Sequence, residues 1–286
     1  MSYFTVVIPA KNEAIAIGNT VLGILRLFPD AEVIVVNDGS TDETPEIAER
    51  AGAKVLTQPY SKGNGAAIKA GLRAASRDVV VCMDADGQHR PEDIGVLLDK
   101  LNQGYDMVVG ARDQEGQSGV HRYLANSFYN RFSSWMVGHK VEDLTSGFRA
   151  IRRSKFLEFV SLLPNKFSYP TTITMSFFRA GYSVAYVPIR VLKRAEGSKS
   201  HISVWKDGLR FLLIIFKIGT LFSPLKLFFP ISLISGLGGA LYYAYTYFSD
   251  GRFTNMGVLL FMTSVLVFLM GLISEQITAL IYKDKN

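Results

Sequence analysis

The chain has one cysteine in 286 residues, so no intrachain disulfide can form. Cys82 lies inside the apolar run "DVVVCM", which reads it as a small core residue rather than a reactive thiol. No basic region precedes the first apolar run, "FTVVIPA", and that run is too short for a secretory signal. The first part of the chain is therefore expected to stay in the cytoplasm. Two phosphate-binding signatures are missing as well. There is no G-x-x-x-x-G-K-[ST], and no G-x-G-x-x-G follows the first strand, so ATPase and dinucleotide readings lose support.

Charge is missing from two long stretches, Phe228 to Phe248 and Met256 to Ser274. At about 1.5 Å per helical residue, each can cross a hydrocarbon core of roughly 30 Å. The linker between them, "SDGRF", is too short for a domain, so the pair reads as a helical hairpin. A hairpin buried in a soluble core is the competing reading. Tyr242, Tyr243, Tyr245 and Tyr247 suit an interfacial aromatic belt. Basic residues gather before the first span, and Lys283 and Lys285 follow the second, which predicts both termini on the cytoplasmic side of a two-span membrane protein. Glu275, near the cytoplasmic end, can snorkel or pair and is assigned no function.

Hydrophobic residues make up 48% of the chain, with the excess after residue 205. Net charge is +6, and between Arg190 and Lys217 seven basic residues face two acidic ones. Such a cluster can bind nucleic acid. Here it is interleaved with "FLLIIF" and leads into the apolar spans, which favours lipid headgroups or a lipid phosphate over nucleic acid. In "HISVWKDGLRFLLIIFKIGTLF", Trp205, Leu209, Leu212, Leu213 and Phe216 share one helical face, with Lys206, Arg210 and Lys217 off it. The segment 201–223 is thus expected to be an amphipathic interfacial helix.

Before it, short β-rich runs alternate with helical stretches. "FTVVIPA", "AEVIVVND", "AKVLTQ", "DVVVCMDAD" and "DMVVGAR" read as strands. Residues 14–27, "TPEIAERAG", "GNGAAIKAGLRAA" and 91–103 read as helices. The alternation predicts an α/β fold, a Rossmann-like, mostly parallel sheet with helices on both faces. Ligands of such sheets bind at the carboxyl ends of the strands. The predicted organisation is a cytoplasmic catalytic domain over 1–200, the interfacial segment 201–223, and a transmembrane hairpin with a short tail over 224–286.

The chemically loaded residues fall at those strand ends. Asp84 and Asp86, at i and i+2 where a buried run stops, can bring oxygens to a hard divalent cation, Mg²⁺ or Mn²⁺. Gln88 adds a neutral oxygen. His89 reads as an exposed loop histidine and is the weaker candidate. In "PAKNEA" and "NDGSTDET", Glu13 and Asp38 can accept hydrogen bonds from a ribose or base, with Gly39 allowing close backbone approach. Each could equally be an ordinary cap or turn. "SKGNGAAI" offers glycines and Lys62 at a helix start, suited to phosphate.

In this order, "VVIPAKNEA", "VNDGSTDET", "KGNGAAIKAGL", "MDADGQHRPEDI", "VVGAR" and "DLTSGFRAIRR" make the chain resemble the inverting family-2 glycosyltransferases of the GT-A fold. Within them it is similar to the polyprenyl-phosphate glycosyltransferases, the dolichol-phosphate mannose synthase-like group, over roughly residues 4–220, and the two-helix tail also occurs there. The resemblance implies metal-dependent, inverting transfer of one sugar from a nucleotide-sugar to a dolichyl or undecaprenyl phosphate. It implies that Pro9, Ala10, Glu13 and Asp38 line the nucleotide site and that Asp84 lies near the ribose and diphosphate. Asp86 and Gln88 then bind the metal. Arg112, Arg122 and Arg194 face the acceptor phosphate, with Asn126 where relatives carry serine. Asp143 of "EDLTSGFR" takes the acidic position near the sugar. Arg112 could instead only pair with a carboxylate, and Asp143 could only cap a helix.

A phosphate acceptor also follows from acidity. A phosphate monoester has its second pKa near 6 and attacks without a strong base, whereas a hydroxyl needs one. Arginines hold a phosphate bidentately. Two other readings stand beside this one. One is a transferase to a lipid hydroxyl or a polysaccharide with Asp143 as base, although the Q-x-x-R-W of processive synthases is missing and only two spans are present. The other is a non-catalytic, membrane-tethered nucleotide-sugar sensor. A homo-oligomer is compatible with all three.

Overall fold

The computed structural model describes residues 3–112, 120–165, 168–192, 216–217, 219–252 and 254–283. The chain divides into two compact units, Met1–Ile202 and Ser203–Asn286.

The first unit is built on a seven-stranded sheet in the order β3-β2-β1-β4-β6-β5-β7. Its strands are β1 (Thr5–Ala10), β2 (Glu32–Asn37), β3 (Lys54–Thr57), β4 (Val79–Cys82), β5 (Met107–Arg112), β6 (Arg149–Arg152) and β7 (Val184–Ile189). Helices α1 (Ile17–Leu27), α2 (Thr44–Arg50), α3 (Asn64–Ala74), α4 (Asp93–Leu101) and α5 (Val120–Val137) follow the first five strands in turn. Two more, α6 (Arg153–Glu158) and α7 (Tyr169–Arg179), lie between β6 and β7.

Central strands are buried on both faces, so they read as continuous Val/Ile runs instead of alternating patterns. In β1 every residue but Pro9 is buried. Val6, Ile8, Val33, Val35, Val81 and Val108 lie in one core, each contributing about 1.5–3 kcal/mol of burial free energy. Helix α1 buries Ile17, Thr20, Val21 and Ile24, the i, i+3, i+4, i+7 stripe of an amphipathic helix. It starts at Ile17 rather than at residue 14, because the preceding residues are held in a turn described below. Helix α4 likewise begins at Asp93, just after Pro91.

The sheet is parallel except at β6, which runs antiparallel to both β4 and β5. The alternating pattern does not anticipate this strand, since "RAIR" carries an arginine at each end. Arg149 is nonetheless fully buried. Its Nη1 donates to Pro170 O at 3.1 Å and Thr174 Oγ1 at 3.0 Å, and its Nη2 donates to Ser146 O. The guanidinium also sits 5.8 Å from the Tyr169 ring centroid. Hydrogen bonds from Nη1 and Nη2 and an aromatic face thus replace part of the water it has lost, while Nε has no partner among the described residues.

In the second unit, α8 (Pro224–Asp250) and α9 (Asn255–Lys283) form an antiparallel hairpin. Both are long and apolar enough to cross a membrane. Gly251, left-handed at φ 66°, ends α8 with its N–H on Tyr247 O. Small polar side chains pair across the hairpin. Ser232 Oγ donates to Ser264 O at 2.9 Å and Ser264 Oγ to Ser232 O at 2.8 Å. Ser235 Oγ reaches Leu260 O at 3.1 Å. Glu275 does have structural work: its Oε2 accepts the Leu225 N–H at the start of α8, at 3.2 Å. The expected amphipathic face of 201–223 lies almost wholly outside the described residues.

Candidate active site

The turns that leave β1 and β2 are laced together. Asn12, left-handed at φ 55°, accepts the Thr41 N–H on Oδ1 at 2.8 Å. The Asn12 N–H donates to Ser40 Oγ at 3.0 Å and the Glu13 N–H to Thr44 Oγ1 at 2.9 Å. Asp42 accepts the N–H groups of Ala14 and Thr44. Parallel pairing puts Ala10 beside Asn37, so the expected nucleotide-site residues Pro9, Ala10, Glu13 and Asp38 lie at adjacent strand ends. Ala10 and Asp38 are buried; Pro9 and Glu13 are half-buried.

Asp38 organises a third loop. Its Oδ1 accepts the Lys62 N–H at 2.7 Å, and its Oδ2 accepts Ser61 Oγ at 2.8 Å and the Gly63 N–H at 2.9 Å. Gly39 sits at φ +70°, and a Cβ there would lie 2.8 Å from Ser61 N. Glycine is required at that position because the loop backbone passes directly over it. The helix-start amides expected to receive phosphate are engaged within the protein: Lys62 and Gly63 on Asp38, and Ala66 on Asn165 O at 2.8 Å. The Lys62 side chain is exposed, its ammonium 5.3 Å from the Tyr60 ring centroid.

After β4 the chain passes through Asp84, Asp86, Gln88 and His89. Asp86 Oδ1 accepts the Gln88 N–H at 3.1 Å. Gln88 pairs twice with the chain beyond β7: its Nε2 donates to Leu192 O at 3.1 Å, and its carbonyl accepts the Leu192 N–H at 2.9 Å. His89 is not an exposed loop histidine. It is buried, stacks on Phe148 with ring centroids 4.9 Å apart, and brings Nε2 to 3.4 Å from Asp84 Oδ2. Burial pushes the Asp84 carboxyl up. The His89 hydrogen bond and the charges of His89, Arg112 and Arg149 outweigh that and hold it below the ordinary carboxylate range. Burial raises the neighbouring Cys82 thiol to about 12, which removes it as a nucleophile at neutral pH.

Among the described residues, no three His, Cys, Asp or Glu side chains converge on one point. Two carboxylates and an amide at a turn still suit Mg²⁺ or Mn²⁺. Such ions take one or two protein carboxylates and complete their shell with water and substrate phosphate. Asp84 presents a side chain 39% exposed and ionised, the donor such an ion needs.

Arg112 and Asp143 meet across 31 residues. Arg112 Nε donates to Asp143 Oδ2 at 2.8 Å and Nη2 to Oδ1 at 2.9 Å, the two-pronged geometry of a strong pair. Asp143 also accepts the N–H groups of Thr145 and Ser146, both at 3.1 Å. Burial raises its pKa; the Arg112 hydrogen bonds and charge, with the backbone donors, bring it down below the usual value. A carboxylate so encircled is a poor proton acceptor. Arg122 and Asn126 fall on α5, but their side chains, like the whole of Arg194, lie outside the described residues.

The family profile for Glycosyl transferase family 2 matches residues 5–159, and that for the GtrB C-terminal hairpin matches residues 223–280. The chain belongs to glycosyl transferase family 2. Among its family relatives, the dolichyl-phosphate hexose transferase of Haloferax volcanii is 36% identical, over 68% of this chain and 85% of the relative. Glycosyltransferase AglJ of the same organism is 32% identical over 83% of this chain and 80% of its own length. The polyprenol monophosphomannose synthase of Mycolicibacterium smegmatis is 31% identical over 67% and 78%. The fold matches glucosyl-3-phosphoglycerate synthase from Mycobacterium tuberculosis, a structure holding Mn²⁺, UDP and phosphoglyceric acid. The TM-score is 0.60 at 23% identity, covering 74% of this chain and 78% of that one. This family 2 chain is thus a glycosyltransferase with a GT-A sheet, followed by two helices able to span a membrane.

Proposed function

We propose that the chain transfers one sugar, with inversion, from a nucleotide-sugar of the GDP-mannose or UDP-glucose type to a polyprenyl phosphate at the cytoplasmic membrane face. The observation that carries this reading is the state of Asp143. It is ion-paired, hydrogen-bonded by backbone donors and held below the ordinary carboxylate range, so it does not serve as the base a hydroxyl acceptor requires. A phosphate acceptor, mostly dianionic at neutral pH, needs no such base. The named activities of the Haloferax and Mycolicibacterium relatives, a dolichyl-phosphate hexose transferase and a polyprenol monophosphomannose synthase, support the same acceptor class.

In this reading Pro9, Ala10, Glu13 and Asp38 form the nucleotide wall, with Lys62 and Asp84 toward ribose and diphosphate. Asp86 and Gln88, with Asp84 adjacent, would hold Mg²⁺ or Mn²⁺, which when bound neutralises charge building on the leaving diphosphate. Arg112 braces Asp143 near the sugar, leaving the clamp on the acceptor phosphate to Arg122, Asn126 and Arg194. The hairpin keeps the catalytic unit where the lipid resides.

The test is incubation of the full chain with membrane lipid extract, a panel of nucleotide-sugars and Mg²⁺ or Mn²⁺, with mass spectrometry of the lipid fraction. The expected product is a polyprenyl phosphate heavier by one sugar. A sugar found on a lipid hydroxyl would overturn the reading, and no product with any donor would favour the non-catalytic sensor.

A further inference from the structure

We propose that His89, which the reading above leaves without a role, is a positioning residue that fixes the Asp84 carboxylate for the nucleotide–metal site. The proposal rests on the proposed function of that site, and its basis is a cradle built by the antiparallel strand β6 and the turn before it. Gly147 forms one wall: a Cβ there would lie 3.1 Å from both Asp84 carboxylate oxygens, closer than carbon and oxygen normally pack. Phe148, the next residue, is fully buried and supports the His89 ring face to face, 18° from parallel. Behind them, the Tyr169 hydroxyl donates to Gly147 O at 3.2 Å, and buried Arg149 donates to Ser146 O, which ties the wall in place from behind.

His89 closes the other side. Its side chain is only 6% exposed, and its Nε2 lies 3.4 Å from Asp84 Oδ2. The carboxylate can only accept, so Nε2 carries the proton. Nδ1 is buried and has no hydrogen-bond partner among the described residues. A buried imidazole with one nitrogen unsatisfied is unfavourable in a purely structural role. The arrangement is accounted for if the hydrogen bond to Asp84 is what the ring is placed to make. Outer-shell partners of this kind set the orientation of ligating carboxylates, and their loss typically weakens binding about 10- to 100-fold.

The test compares full-length chains in detergent by calorimetric titration of Mn²⁺-UDP and Mn²⁺-GDP. His89→Phe keeps a ring on Phe148 but removes the donor, whereas His89→Gln returns an N–H near the Nε2 position. The expected result is a Kd raised about 10-fold or more in His89→Phe, mostly recovered in His89→Gln, with the KM for acceptor lipid unchanged. Gly147→Ala, which crowds the carboxylate from the opposite wall, should weaken the same titration and serves if His89→Phe lowers the thermal midpoint. Parent-like affinity in a folded His89→Phe chain, or no recovery in His89→Gln, would overturn the proposal. If the parent chain itself binds neither Mn²⁺-nucleotide, it is the reading of the site that fails, and the inference falls with it.

Discussion

At the scale of single residues, the Arg112–Asp143 pair decides most. Removing one member of a buried pair leaves an uncompensated charge, at a cost of about 3 kcal/mol. Asp143→Asn should therefore lower the thermal midpoint and greatly reduce transfer. The acid limb of stability should change too. Asp143 has its folded pKa depressed, so its contribution is fully present above the unfolded value of about 3.9 and is lost as pH falls through the lower folded value. The parent chain should lose stability below about pH 4 more steeply than Asp143→Asn, which unfolding midpoints measured from pH 6 down to pH 2.5 would show. Asp86→Ala has the opposite profile: transfer abolished with the midpoint retained, because Asp86 lies half-buried on a turn. Full activity in that variant would remove Asp86 from the metal site.

At the scale of elements, the strand-end turns act as one body. The Asp38 turn holds the 61–63 loop, and Gly39 is the point at which the two backbones touch. Gly39→Ala places a Cβ 2.8 Å from Ser61 N and costs about 1–2 kcal/mol for the left-handed backbone alone. The expected outcome is a raised KM for the nucleotide-sugar, since the loop it displaces carries Lys62, with a smaller change for the lipid. Steady-state kinetics in both substrates separates the two. In the hairpin, the reciprocal Ser232–Ser264 bonds should contribute little, about 0.6 kcal/mol each in a membrane setting. The double variant Ser232→Ala/Ser264→Ala should stay active, with a thermal midpoint shifted by only a few degrees. These elements were unequally legible. The Val/Ile runs of β1, β2 and β4 announce themselves, and so does the stripe of α1. Strand β6 does not: its arginines look like surface until Pro170, Thr174 and Ser146 are folded around Arg149.

At the scale of the whole molecule, one unit carries the chemistry and the other two apolar helices. Each helix, near 1.5 Å per residue, exceeds the roughly 30 Å of a bilayer core. The chain should therefore remain in the membrane pellet after alkaline carbonate extraction, and release into the supernatant would contradict membrane insertion. The predicted cytoplasmic placement of both ends can be checked by protease access to tags at each terminus in sealed vesicles.

What the amino-acid order determined by itself is local in origin. Side-chain periodicity marks strands and helices, acids at strand ends mark the ligand edge, and two charge-free runs mark the hairpin, each within a window of a few to some twenty residues. Only the tertiary structure decided the partnerships. Arg112 closes on Asp143, Asp38 gathers the 61–63 loop, and His89 is buried on Phe148 beside Asp84. These contacts join segments from 23 to 59 residues apart. The Arg112 and His89 contacts exist because β6 inserts antiparallel between β4 and β5, bringing residues 143–149 against both strand ends, and the Asp38 contact because β3 pairs parallel beside β2. No local pattern encodes that insertion. It is set by the burial of Phe148, Arg149 and Ala150 in a sheet whose other strands must already be present.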